Sequence, residues 1–159
     1  MKAPIIRVAK ERDMRGIAEL LKEAYNIDTV EEGVRVFLEE THKKYNFVVA
    51  EVDDKIIGIA SYQIHGLPKH MLAEMDRIAV SPDFRGKGIA KLLFEFLVKE
   101  ANDFYRRKGF KLRKIYLMTH EDNKRAQEFY KKMGFQEEAK LKDHFYKGKA
   151  ELVMSVFFD

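Results

Sequence analysis

The chain has 159 residues, with 30 basic and 26 acidic side chains, a formal charge of +4, 46% hydrophobic residues and 35% charged ones. That much apolar material excludes a disordered tail and favours one domain over residues 1–159, while apolar runs far short of the roughly 20 residues a bilayer needs exclude a spanning helix. Cysteine is absent, which removes disulfides, thiolate metal sites and a cysteine nucleophile together.

Acids and bases are interspersed, so the pI near 9.1 marks no basic patch and predicts no nucleic-acid partner. The opening residues hold no long apolar region and no small-residue cleavage site, which predicts no secretory leader and a cytoplasmic protein without a membrane partner. Along the chain, residues 5–9 read as a first strand. Met14, Ile17, Ala18, Leu21, Ala24 and Tyr25 recur at helical spacing, and Val34, Phe37 and Leu38 mark a second helix. Residues 47–52 and 55–64 read as a hairpin turning at Asp53-Asp54. A strand around residues 75–80 stops at Ser81-Pro82, because proline cannot extend a ladder.

A long amphipathic helix follows, with apolar residues at Ile89, Leu92, Leu93, Phe96, Leu97, Ala101 and Phe104, and Gly109 placed to cap it. Residues 112–119 read as a strand, and a further helix begins at Asp122 or Asn123 and stops at Gly134. Two strands joined near Lys147-Gly148 complete the chain. The order β, α, α, β, β, β, α, β, α, β, β predicts an α+β domain with a mixed sheet and an antiparallel first half.

The join of strand and long helix is the most informative stretch. Gly86 and Gly88 lack Cβ, so backbone there can adopt positive φ and approach a ligand closely. The first helical N–H groups are unsatisfied and favour a phosphate, and Arg85, Lys87 and Lys91 add positive charge. An ordinary strand-to-helix turn with surface bases remains the alternative from the glycines alone. The Walker spelling is absent, and the dinucleotide fingerprint fails because Lys91 stands where its third small residue belongs.

Arg85-x-x-Gly88-x-Ala90 resembles the R/Q-x-x-G-x-G/A coenzyme A signature of the GNAT superfamily of N-acetyltransferases. Ile78-Ala79-Val80-Ser81-Pro82 is similar to that family's central strand, and Asn123-x-x-Ala126-x-x-x-Tyr130-x-x-x-Gly134-Phe135 to its second signature. The resemblance covers essentially the whole chain. It implies a mixed seven-stranded sheet, flanked by about four helices, whose fourth and fifth strands splay apart around acetyl-CoA. Main-chain groups of Ile78 and Val80, on either side of Ala79, would then pair with the pantetheine arm. Amides of Arg85, Gly86, Lys87, Gly88, Ile89, Ala90 and Lys91 would hold the pyrophosphate, and Asn123 would contact the cofactor. The Ile78 N–H would meet the oxyanion, again by analogy.

Acetyl transfer to an amine needs a neutral amine, a stabilised oxyanion and a protonated leaving thiolate. Without cysteine, direct attack in a ternary complex is the simpler route. Tyr130, whose phenol has a reference pKa of about 10, suits the leaving-group acid. A core aromatic beside Phe129 and Met133 is the competing role. The position that serves some relatives as a fifth-strand base is Met118 here, which accepts no proton. Many members of the family use an acidic residue on the fourth strand, and Glu74, four residues before Ile78 and near that position, is by this resemblance the first candidate base. Asp76 lies on the same face of the strand by period-2 alternation, and His120 or a water chain are the other choices. The five histidines form no H-E-x-x-H run, since Lys124 stands four after His120, so no metal is expected; His42, His65, His70 and His144 read as structural or surface residues.

The acceptor is a primary amine, either a peptide N-terminus of the ribosomal-protein type, as the similarity of residues 145–154 implies, or a small amine or polyamine. Glu31, Glu32, Glu39 and Glu40 offer negative charge to such a cation, or form a solvated helix face. A non-catalytic acyl-CoA-binding module would need neither Tyr130 nor a base. A helix-turn-helix over residues 11–43 is opposed by its acidic second helix. A monomer or homodimer is expected.

Overall fold

A computed structural model describes residues 2–159. The elements run β1 (Ile5–Val8), α1 (Met14–Ala24), α2 (Val30–His42), β2 (Asn46–Val52), β3 (Lys55–His65), β4 (Leu72–Val80), α3 (Ile89–Arg106), β5 (Lys114–His120), α4 (Lys124–Lys132), β6 (Gln136–Tyr146) and β7 (Lys149–Phe157). This is the order the sequence predicts. The strands form one sheet ordered β1-β2-β3-β4-β5-β7-β6. The pairs β1–β2, β2–β3, β5–β7 and β6–β7 are antiparallel and β4–β5 is parallel, so the sheet is mixed. Among the described residues no helix is long and apolar enough to cross a membrane.

The residues group into two compact units: 2–63 with Arg77–Glu100, and Ile64–Asp76 with Ala101–Asp159. In the first unit the β2–β3 hairpin turns on Asp53 and Asp54, both with positive φ (48° and 61°). That is the handedness a two-residue hairpin loop requires. Thr29 caps α2 by accepting the Glu32 N–H at 3.0 Å, which satisfies one of the orphan donors of a helix start. α1 and α2 pack so closely that a Cβ on Gly33 would stand 2.8 Å from the Ala18 carbonyl oxygen. Their buried faces meet β2 and β3 through Ile17, Leu20, Leu21, Phe37, Phe47, Val49 and Ile59. On β3, a Cβ on Gly58 would lie 3.0 Å from Leu93 and 3.4 Å from the Ala79 carbonyl oxygen, so α3 sits tightly over this strand.

In the second unit β5 pairs along its whole length with β7, from Lys114↔Phe157 to His120↔Glu151. It pairs with β4 only over Leu72↔Lys114, Ala73↔Ile115 and Glu74↔Tyr116. Most strand ends fall within one residue of the sequence reading; the starts of β4 and β5 differ by more, each for a tertiary reason. β4 begins three residues early because the Tyr105 hydroxyl accepts the Leu72 N–H at 3.0 Å and donates to the Leu72 carbonyl at 2.6 Å. β5 begins two residues late because the Leu112 N–H is taken by the Asn102 side chain at 3.0 Å and does not join the ladder.

Candidate active site

Within the first unit, the chain leaves β4 at Ser81, whose N–H donates to the Ile57 carbonyl at 2.8 Å. One short turn over Pro82–Phe84 follows. Gly86 and Gly88 then adopt φ of +76° and +78°, and a Cβ at either would meet nothing within 4 Å. Glycine is therefore required by conformation, since the space itself is open. α3 makes its first bond from the Leu92 N–H to the Gly88 carbonyl at 3.2 Å. The first-turn amides of Ile89, Ala90 and Lys91 precede that bond and so have no partner inside the helix. Lys87 lies 5.5 Å over the Phe84 ring, and Lys91 and Glu95 form an exposed pair at 3.9 Å. Arg85 turns back, its Nε donating to the Val80 carbonyl at 3.0 Å. Ala79, between Ile78 and Val80, packs against the core of this unit.

The main chain at Ile78 is engaged in a way the sequence did not disclose. Its N–H donates to the Tyr25 hydroxyl at 3.2 Å, and that hydroxyl faces the Ile78 carbonyl at 3.4 Å. The Arg77 guanidinium lies 4.5 Å over the Tyr25 ring, and its Nε donates to both Glu40 oxygens, at 2.7 and 3.1 Å. Burial raises the Tyr25 phenol above its ordinary range, against the opposing pull of Arg77. The hydroxyl therefore stays protonated. Two of the four glutamates expected to attract a cation have local work: Glu40 holds Arg77, and Glu32 accepts the Asp28 N–H at 2.9 Å. Glu31 and Glu39 are exposed.

Within the second unit, Glu74 is buried and its Oε1 lies 2.9 Å from His65 Nε2. The same oxygen accepts the Tyr116 hydroxyl at 3.2 Å. The His65 and Tyr116 rings stand 5.7 Å apart. Burial, and then the charge of Glu74, hold the Tyr116 phenol well above its usual range, so it is a donor and not a base. His120 makes a similar pair with a buried carboxylate, its Nδ1 lying 2.7 and 2.8 Å from the two oxygens of Glu151. Glu138 accepts from Lys114 at 2.7 Å and from the Ser155 hydroxyl, and these bonds hold its carboxyl below the usual range.

Tyr130 is half-buried on α4, edge-on to Phe129 at 5.6 Å and to Phe135 at 6.0 Å. Asn123 caps that helix, its side-chain oxygen accepting the Ala126 N–H at 3.1 Å. This leaves its amide nitrogen as the group able to meet a ligand. Met118 lies on the same face of β5 as Tyr116 and His120 and carries no group that takes a proton. His65 and Tyr25 are the functional candidates missed by the sequence reading. A turn of six residues separates His65 from β4, so strand parity alone could not place it opposite Glu74.

An acetyltransferase (GNAT) domain model matches residues 43–137. An uncharacterized N-acetyltransferase of Methanocaldococcus jannaschii is 34% identical over 99 residues, 60% of this chain. The match spans only 41% of that relative's length. Among solved structures, the ribosomal-protein-S18-alanine N-acetyltransferase of Escherichia coli superposes with a TM-score of 0.75 at 18% identity, covering 97% of this chain and 93% of that one. A spermidine N-acetyltransferase of Vibrio cholerae superposes with a TM-score of 0.74 at 23% identity, with the same coverage of each chain. At such identities the two likenesses speak for the fold.

Proposed function

The chain belongs to the GNAT family of acetyltransferases, and on that premise we propose that it acetylates a primary amine, a peptide N-terminus first among acceptors, within one catalytic domain. Acetyl-CoA, when bound, supplies the acetyl group as an activated thioester. The observation that carries the reading is the turn over residues 85–91. Its two glycines stand in the left-handed region with open space where a Cβ would be, directly before the first helix amides, which have no partner inside the helix. A diphosphate fits such a cradle, because N–H donors and the positive helix end both favour it. Arg85 and Lys87 add charge. Ile78 and Val80 would offer main-chain groups to the pantetheine arm, and the Asn123 amide would be a further donor.

For the chemistry, Glu74 is the acidic residue that serves the base side of the reaction, where the attacking amine loses its proton as the new C–N bond forms. Tyr130 gives its phenolic proton to the departing sulfur as the C–S bond breaks. A phenol, with a reference pKa of about 10, is protonated at neutral pH and can give its proton to a departing thiolate, which suits the second role. The peptide acceptor is supported by the exposed aromatics Phe145 and Tyr146 at the end of β6 and by the fold shared with a ribosomal-protein-alanine acetyltransferase. The shared fold of a spermidine acetyltransferase makes polyamines the second arm of the test.

The test is thiol release from acetyl-CoA with three acceptors: a peptide beginning with alanine, spermidine, and a simple alkylamine. The peptide is expected to give the highest kcat/KM. Tyr130→Phe is expected to lower turnover by about 100-fold while the acetyl-CoA affinity changes little. No release with any amine removes the enzyme reading, and preference for spermidine reassigns the acceptor.

A further inference from the structure

The second unit places an imidazole, a carboxylate and a phenol around one oxygen atom. The His65 side chain is 35% exposed and that of Glu74 11%, so the buried member of the pair is the carboxylate and the accessible member is the ring. Glu74 Oε1 already accepts from Tyr116, and His65 Nε2 lies 2.9 Å away. An ionised carboxylate has no proton to give, so the bond runs from His65 Nε2–H to Glu74. This fixes the tautomer and leaves Nδ1 with a lone pair. Nδ1 makes no hydrogen bond to a described residue.

We propose that His65 is the proton acceptor of this enzyme and that Glu74 is its positioning residue, which holds the ring through Nε2 and stabilises the imidazolium that forms. The inference rests on the acetyl-transfer reading and changes which atom takes the proton. The amine N–H proton passes to His65 Nδ1 as the nitrogen bonds to the acetyl carbon, and it leaves from the exposed ring to water. A buried carboxylate that already holds one hydroxyl proton donor is a poorer sink. Free carboxyls titrate at about 4.3 and free imidazole at about 6.5, so imidazole is also better matched to an amine. The same division of labour, an orienting carboxylate behind a reactive imidazole, serves hydrolases built on a nucleophile, histidine and acid. The other charged and titratable groups on this side are Asp76 from β4, Tyr116 and Lys114 from β5 and Glu138 from β6, with His70 in the connecting turn beside Gly66.

The experiment is a kcat/KM pH profile of the parent, His65→Gln, Glu74→Gln and His120→Gln with acetyl-CoA and the best acceptor of the amine panel. It is joined to a nitrogen-15 NMR reading of the histidine tautomers. The parent is expected to show an acidic limb in the imidazole range, and His65→Gln to lose that limb and about 100-fold in kcat/KM at pH 7. NMR is expected to find the His65 proton on Nε2 in the parent and divided between the two nitrogens in Glu74→Gln. An unchanged limb in His65→Gln, removal of the limb by His120→Gln instead, or a parent proton on Nδ1 would each overturn the proposal. A parent that releases no thiol at all sinks the acetyl-transfer reading and this proposal with it. Full parent turnover with an unaltered His65→Gln sinks this proposal alone.

Discussion

Arg7 carries two carboxylates at once. Its NH1 and NH2 donate to the two oxygens of Asp13, at 2.7 and 2.8 Å, and its Nε donates to Glu51 at 2.9 Å. Asp13 and Glu51 are both buried, so a strand, the start of α1 and β2 share one charge centre. The Arg7 bond, against the cost of burial, lowers the Asp13 carboxyl below its usual range. A carboxylate with a lowered folded pKa contributes stability that is fully present above its unfolded value of about 3.9 and is lost as pH falls through the folded value. Asp13→Asn leaves Arg7 half-partnered and is expected to cost about 3 kcal/mol at pH 7. Its denaturation midpoint should also fall less than the parent's as pH drops below about 4. Urea melts at pH 7 and at pH 3 measure both effects, and parallel curves for the two proteins would show that Asp13 is not the titrating group.

At the level of elements, β4 is held by two tyrosines, one in α3 and one just past the end of α1. The Tyr105 hydroxyl of α3 closes on the N–H and carbonyl of Leu72, and the Tyr25 hydroxyl, just past the end of α1, meets those of Ile78. The second clamp bears on the chemistry. An N–H has one hydrogen, so the Ile78 amide can serve a carbonyl oxygen only once Tyr25 gives it up. Tyr25→Phe removes the partner in the free protein, and a main-chain donor left unsatisfied there costs about 1–3 kcal/mol. The same change frees that donor for the acyl carrier. The expected result is a lower melting point without ligand and an acetyl-CoA affinity that does not fall, so that saturating ligand restores part of the loss. A tenfold weaker affinity would mean that the Tyr25 hydroxyl itself touches the carrier. Nothing in the sequence announces this clamp, because Tyr25 and Ile78 are 53 positions apart and no motif joins them. What was legible is local: the glycine turn over 85–91, the proline after β4, the Asp53-Asp54 hairpin and the helical periodicities. Each of these is written in neighbouring residues. His65 and Tyr116 belong with Tyr25 among the unreadable contacts, since only strand pairing brings them to Glu74.

For the whole molecule, the division into two compact units raises the question of whether they melt apart. β3, β4 and α3 each begin in one unit and end in the other. A strand that loses half its ladder gives up bonds in the remaining half as well, and a helix cut at its middle leaves new unsatisfied termini. Ile89, Leu93 and Leu97 of α3 are buried in the first unit, and Ala101 and Tyr105 in the second. Unfolding either unit alone would therefore strip buried side chains from an element the other unit needs. Because these elements run through both units, thermal unfolding is expected to be one transition. For a chain of this length the calorimetric enthalpy should be about 110 kcal/mol near 60 °C, and the van't Hoff value should equal it. If the units were independent, the van't Hoff enthalpy would come out at roughly half the calorimetric one, because each half would melt as its own cooperative body. The two heats from a single scan thus decide whether the proposed catalytic groups of the second unit and the glycine turn of the first are lost together.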